Sequence, residues 1–215
     1  MTTTLYGYWR SSAAYRLRIA LNLKGVAYEQ VSINLKEGEQ NGEAWRAIQP
    51  QGLVPVLEHD GMRLLQSPAI LEWIEETWPE PPLLPSDPAG RCRVRGWTSV
   101  IGCDTHPLQN LRVLKAVAGD LGQGPEGMKA WAQRWIGSGL QSLETMVARH
   151  ARSGPFLDGD APGMAEVYLV PQMYNARRWG ADISQCPTLL AADEAARALP
   201  AFQAAAPENQ ADAEA

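Results

Sequence analysis

The sequence predicts a small α/β domain followed by a larger all-α domain. Three observations carry that prediction. Apolar residues alternate between strand and helix spacing up to Trp78 and keep helical spacing afterwards. Between them, Pro79 to Pro88 (PEPPLLPSDP) has five prolines in ten residues, a stiff, extended stretch that no helix can cross. Beyond it Ala and Leu are plentiful and β-branched runs are missing. The expected boundaries are 1–80 for the α/β domain, 81–88 for the connector and 89–215 for the helical domain.

Each element has its own reason. Thr4 to Tyr8 is short, aromatic and bounded by polar residues, so it reads as a strand. Ser12 starts a helix in which Ala13, Leu17, Ala20, Leu21 and Lys24 share one side, and Gly25 stops it. Tyr28 to Ile33 is the next strand, followed by a weak helix near Ala44 to Ile48. Leu53–Glu58 and Met62–Leu65 form a hairpin across an Asp60-Gly61 turn. Ser67 as N-cap and Pro68 at the first helical position open a helix through Trp78. Helical period then covers roughly 88–118, 126–150, 164–178 and 188–199.

Composition narrows the function. The chain has 215 residues, 45% hydrophobic and 20% charged, enough for a substantial core. A net charge of −5, with neither half basic, argues against a nucleic-acid partner. No run of about 18 apolar residues is present to span a bilayer, and MTTTLYGYWR lacks the apolar core of a secretory signal. Cys92, Cys103 and Cys186 are odd in number and form no CxxC, so the expectation is a reduced, cytoplasmic protein with no metal site.

Three places invite chemistry. Pro55 inside an apolar strand suits either an ordinary edge or a cis Val54–Pro55 bond that turns Val54 outward to pair with an extended ligand. Ser11 and Ser12, where a strand passes into a helix, are either plain caps or part of an anion site able to stabilise a thiolate. Gln66-Ser67-Pro68 is a second helix start of that kind, suited to a carboxylate.

Taken with their surroundings, these segments resemble a known family. Ser11-Ser12-Ala13-Ala14-Tyr15-Arg16-Leu17-Arg18-Ile19-Ala20-Leu21 and Gln49-Pro50-Gln51-Gly52-Leu53-Val54-Pro55 are similar to motifs of the zeta class of glutathione transferases, which includes maleylacetoacetate and maleylpyruvate isomerases. Gln66 to Ile70, Leu83 to Pro85, His106 to Leu111, Leu169 to Ala176 and the tail around Phe202, Pro207 and Gln210 extend the match to nearly the whole chain. The resemblance implies a thioredoxin-like domain with a mixed four-stranded sheet, an all-α C-terminal domain, a homodimer and a glutathione site. Ser11 would face the glutathione sulfur, with Ser12 beside it. Val54 would pair with the cysteinyl backbone, Gln66 and Ser67 would hold the γ-glutamyl carboxylate, and Gln40 would reach the glycyl end. His106, Asn110 and Arg112 would also contact the cofactor, and Arg178 matches a position that grips a substrate carboxylate.

Three departures stand out. Ala13 occupies a position where the class commonly has cysteine, which removes a protein thiol and leaves the nucleophile to glutathione. Gln49 replaces a more common asparagine, with no functional consequence expected. Gly163 replaces a Ser or Thr cap, so the helix after it is expected to start weakly.

The implied reaction isomerises a cis double bond conjugated to a carbonyl, which needs transient single-bond character that reversible thiolate addition supplies. It calls for a lowered thiol pKa, cationic grips for the carboxylate and developing charge of a small dicarboxylic keto acid, and a closed pocket. Arg10, beside the serine pair, and Arg178 are the candidate grips, with Arg112 adding charge and His106 a candidate catalytic group. Bland readings stand beside them: Arg177 and Arg178 as dipole partners at a helix end, Arg16 and Arg18 as structural or solvated, His106 as a helix bend, and the tryptophans as core. Two other functions stand beside it: a general glutathione transferase or haloacid dehalogenase, which uses the same thiolate, and a non-catalytic adaptor, which has no need for the tripeptide site at Ser11, Gln66 and Ser67.

Overall fold

The hydrogen-bond ladder of the N-terminal region explains where the polar candidates collect. In the computed structural model, which describes residues 2–150 and 153–214, strand β1 (Thr3–Gly7) runs parallel to β2 (Glu29–Ser32) and antiparallel to β3 (Val56–His59). β3 pairs antiparallel with β4 (Met62–Leu65), giving a mixed four-stranded sheet in the order β2-β1-β3-β4. Leu5, Val56 and Leu57 are fully buried in it, each stabilising by about 1.5–3 kcal/mol relative to exposure. The hairpin turn has positive φ at both Asp60 (47°) and Gly61 (81°), the type I′ turn that matches strand twist.

Helix α1 (Ser12–Leu23) follows β1, α2 (Glu43–Ile48) follows β2, and α3 (Ser67–Thr77) follows β4. The start of α3 differs by one residue from expectation. Gln66 takes the cap position with φ 71° and ψ 109°, so Ser67 is the first helical residue and Pro68 the second. Proline is tolerated there because the first turn leaves its amides without intrahelical acceptors.

By proximity the chain divides into one unit containing residues up to Pro82 together with Ala198 onward, and another from Leu83 to Arg197. The expectation grouped 198–215 with the helical domain. Instead α9 (Pro200–Ala205) packs on α1, where Arg18, which the sequence left as structural or solvated, reaches its backbone. Arg16 and Arg18 are 1% and 0% exposed, and Arg18 donates from Nε to Ala205 O at 2.9 Å and from Nη2 to Trp9 O at 2.8 Å. Asn22 Nδ2 adds a bond to Ala201 O at 2.9 Å. At the other end of α1, buried Lys24 meets Glu75 at 2.6 Å and Pro81 O at 2.7 Å, tying down the start of the proline-rich stretch.

The second unit is helical. It comprises α4 (Pro88–Ser99), α5 (Leu111–Ala118), α6 (Gly124–Ala148), α7 (Met164–Trp179) and α8 (Pro187–Arg197). The continuous helix expected over 88–118 is interrupted by a π-helical stretch, Val100–Thr105, and a 3₁₀ turn, His106–Gln109. Pro107 has no N–H for an α-helical bond, so the break falls beside it. Buried Ile136, Leu140, Leu143 and Val147 of α6 and Val167, Leu169, Val170 and Met173 of α7 form its core.

α7 does not start weakly. Glu166 accepts the Gly163 N–H at 2.8 Å, the half of a capping box that needs no side chain at the cap. Its other oxygen accepts the Leu157 N–H at 2.7 Å. Burial, the larger influence, pushes the Glu166 carboxyl above its ordinary pKa despite these donors.

Candidate active site

β1 ends, β2 ends, β3 begins and β4 ends at one rim of the sheet, so the register itself gathers the loops that follow them. Ser11 is the N-cap of α1; its Oγ accepts the Ala14 N–H at 3.3 Å, which leaves its hydroxyl proton to donate outward. Ser12 is buried behind it as the first helical residue. Arg10 is half-buried, its guanidinium 5.0 Å from the centre of the Trp9 ring. Neither α1 nor α3 carries an acidic residue in its first turn, so the positive end of each helix dipole stays uncompensated by its own chain.

The loop before β3 is shaped from within. Buried Gln49 accepts the Gln51 N–H on its Oε1 at 2.6 Å, and Gly52 donates to Gln49 O at 2.9 Å. Gly52 has φ 64°, and a Cβ there would stand 2.8 Å from Gln40 O. Trp45 Nε1 holds Leu53 O at 3.1 Å. The Val54–Pro55 bond is cis, and the β1–β3 ladder starts only at Val56, so the Val54 amide and carbonyl lie outside it. Gln66 is exposed and donates to Gln51 Oε1. Ser67 is buried at the start of α3. Gln40 is buried with its Nε2 3.5 Å from Leu35 O and its Oε1 without a hydrogen-bond partner.

The chemistry of this rim suits an extended anionic ligand: each helix start can take a negatively charged group, and the backbone at Val54 can pair with a peptide unit. The unsatisfied Gln40 oxygen asks for a donor such as the ligand's backbone N–H.

The remaining candidates lie in the second unit. His106 is half-buried and opens the 3₁₀ turn. Asn110 caps α5, its Oδ1 accepting the Arg112 N–H at 3.2 Å, which leaves Nδ2 as its outward donor. The Arg112 side chain is exposed. Arg177 forms an ion pair with buried Asp193 and so has a structural task, whereas Arg178 donates from Nη1 to Asn175 Oδ1 at 3.0 Å.

Sequence reasoning assigned no role to Gln51, Gln109, Gln172, Asn175 or Asp212. Asp212 accepts the Trp9 N–H at 3.1 Å and the Ser32 hydroxyl at 2.7 Å, bracing the loop that leads into Ser11. A signal for the amides was present: Gln172, Asn175 and Arg178 recur every three residues along α7, the first two among apolar neighbours.

The profile of the glutathione S-transferase N-terminal domain matches residues 1–76. The maleylacetoacetate isomerase of Rhizobium meliloti (strain 1021) is 47% identical over 207 residues, covering 96% of this chain and 97% of its own. Among solved structures, a holo maleylpyruvate isomerase, a bacterial glutathione transferase of the zeta class, has a TM-score of 0.96 at 43% identity and covers 98% of this chain and 100% of its own. The maleylacetoacetate isomerase of Anaeromyxobacter dehalogenans 2CP-1 with glutathione in its active site has a TM-score of 0.88 at 48% identity, with 99% of this chain and 98% of its own covered. With such identity along almost the entire length, the chain belongs to the zeta class of glutathione transferases, the family of the maleylacetoacetate and maleylpyruvate isomerases.

Proposed function

We propose that this protein is a glutathione-dependent cis–trans isomerase that converts maleylacetoacetate to fumarylacetoacetate, or maleylpyruvate to fumarylpyruvate. The observation that carries the reading is the rim itself, where two uncompensated helix starts and the free Val54 backbone gather at one edge of the sheet. Bound glutathione supplies a thiolate whose reversible addition relaxes the double bond.

The chain's own residues do the rest. Ser11 donates a hydrogen bond from its hydroxyl to the thiolate sulfur and, with the α1 N-terminus and buried Ser12 behind it, lowers the thiol pKa. Val54 pairs with the cysteinyl peptide unit, Gln66 and Ser67 take the γ-glutamyl carboxylate, and Gln40 meets the glycyl end. His106, Asn110 and Arg112 complete the cofactor contacts, His106 also being a catalytic candidate. Arg10 and Arg178 grip the substrate's carboxylates, for which a planar guanidinium fork suits better than lysine. The lack of a thiol at Ala13 is consistent with a mechanism in which only the cofactor is the nucleophile. A homodimer and a cytoplasmic location belong to the same reading; no helix among the described residues is long and apolar enough to cross a membrane.

The test is side-by-side isomerisation of freshly generated maleylacetoacetate and maleylpyruvate, with and without glutathione. Strictly glutathione-dependent turnover of either is expected, and the ratio of efficiencies names the substrate. Glutathione binding without turnover of either overturns the isomerase in favour of a general transferase; no binding leaves the adaptor.

A further inference from the structure

α7 buries three polar side chains, and two of them neither cap a helix nor take part in the reaction as described. Glu166 is accounted for by capping, but Gln172 and Asn175, 0% and 6% exposed, sit on the helix face that ends in Arg178. With Gln109 they form a single file. Arg178 Nη1 donates to Asn175 Oδ1 at 3.0 Å, Asn175 Nδ2 donates to Gln109 Oε1, and Gln109 Nε2 donates to Gln172 Oε1 at 2.8 Å.

The direction of this file is dictated from one end. A guanidinium only donates, so Asn175 has to present its oxygen to Arg178 and its NH₂ to Gln109. Gln109 in turn has to receive with its oxygen and donate with its nitrogen, and Gln172 has to face it with oxygen. The consequence appears at the far end, where Gln172 Nε2 is buried with no hydrogen-bond partner. Three apolar residues at these positions would leave no such unsatisfied donor, so stability alone does not explain the arrangement.

We infer that Asn175 is a positioning residue for Arg178, locked in orientation by Gln109 and Gln172, and that the file sets the specificity for a substrate carboxylate. Each amide dipole points its negative end toward the guanidinium and so helps hold the fork in place. The Trp179 ring, 5.0 Å from the Arg178 guanidinium carbon, adds a second constraint. Because Gln109 closes the 3₁₀ turn begun by His106, the same file also fixes the segment from His106 to Asn110. This inference rests on the reading of Arg178 as a substrate grip.

The experiment is a double-mutant cycle on the full-length, glutathione-saturated protein, read by calorimetric titration with malonate, a diacid with no double bond to isomerise. Arg178→Ala is expected to weaken malonate about 100-fold, Asn175→Ala about tenfold, and Gln172→Met about threefold. Gln172→Met keeps the volume and removes the unsatisfied donor, so it is expected to fold as stably as the unaltered protein and serves if Asn175→Ala does not fold. Both losses are expected to vanish in the Arg178→Ala background, each titration being run at saturating glutathione. Equal losses in both backgrounds, or none beside an intact Arg178, overturn the positioning role alone. No malonate binding by the unaltered protein, or no loss on Arg178→Ala, overturns the grip and the inference with it.

Discussion

The sheet rim of the first unit and the His106–Arg178 region of the second are both polar, yet they are made from different parts. At the rim the functional groups are mostly backbone: the first-turn amides of α1 and α3, the amide and carbonyl of Val54, and a loop bent by Gly52. In the second unit they are side chains, a guanidinium steered by three buried amides. Backbone groups survive the truncation of a neighbouring side chain but not a change in φ and ψ. A side-chain array behaves the opposite way, because each truncation leaves a buried partner unsatisfied. Mutational sensitivity should therefore fall on conformation in one region and on side-chain identity in the other.

The sharpest way to break that contrast is Gly52→Ala. The φ of 64° disfavours any Cβ, and the new atom would meet Gln40 O at 2.8 Å, a backbone carbonyl with no flexible side chain to yield. Loss of about 2–3 kcal/mol is expected, seen as a melting temperature lower by about 5–10 °C. Glutathione affinity should fall about tenfold, since Gln40 and Val54 flank the bend. Unchanged glutathione binding in this variant would mean that the rim is not shaped by its backbone.

A smaller effect is expected where the distant Asp212 side chain braces the rim. Asp212 accepts the Trp9 N–H and the Ser32 hydroxyl, and its second oxygen takes Gln30 Nε2 at 3.3 Å. Asp212→Ala should cost about 1 kcal/mol, reduced from the buried value by solvent exposure, and lower the melting temperature by about 2–4 °C. The KM for glutathione should rise about threefold with kcat little changed. A fall in kcat at constant KM would place the tail's influence on the chemistry rather than on the loop.

The same division explains how much was legible in the sequence. Strand and helix order, the Asp60-Gly61 hairpin and the α1 cap at Ser11 follow from local patterns, and backbone-built features are local. Pro55 marked its strand as unusual but left an ordinary edge and a cis Val54–Pro55 bond both open, and the bond is cis. The start of α3 shifted by one residue because Gln66 adopts positive φ, a conformation no local rule assigns to glutamine. Arg18 reaching Ala205, Asp212 reaching Trp9 and Gln109 reaching Gln172 join residues far apart in the chain. Such contacts leave only a composition trace, a charge or amide inside an apolar stretch. That trace was visible at Arg16, Arg18, Gln172 and Asn175, but its partners were not. The cap at Gly163 shows the converse: the missing side chain suggested weakness, while Glu166 three residues on already supplied the needed acceptor.

The smallest expected effect comes from the cysteines, which neither region uses. Cys92 and Cys103 are exposed, whereas Cys186 is buried. Burial first, then the negative charges of Glu144 and Asp182, push the Cys186 thiol up to about 11. An alkylating reagent at pH 8 should label Cys92 and Cys103 in the native protein and Cys186 only after unfolding, as mass spectrometry of the intact chain would count. The sign of the linkage follows. The unfolded chain gives up this proton at its ordinary pKa near 9 and the folded chain two units later. Below pH 9 the group therefore leaves stability unaltered, and between about 9 and 11 stability is lost as pH rises. Turnover of the doubly alkylated protein should remain intact, because with Ala13 in the first turn of α1 the chain itself offers no thiol there for the reaction. Loss of turnover on labelling either exposed cysteine would instead bring a protein thiol into the second region and blur the contrast between the two.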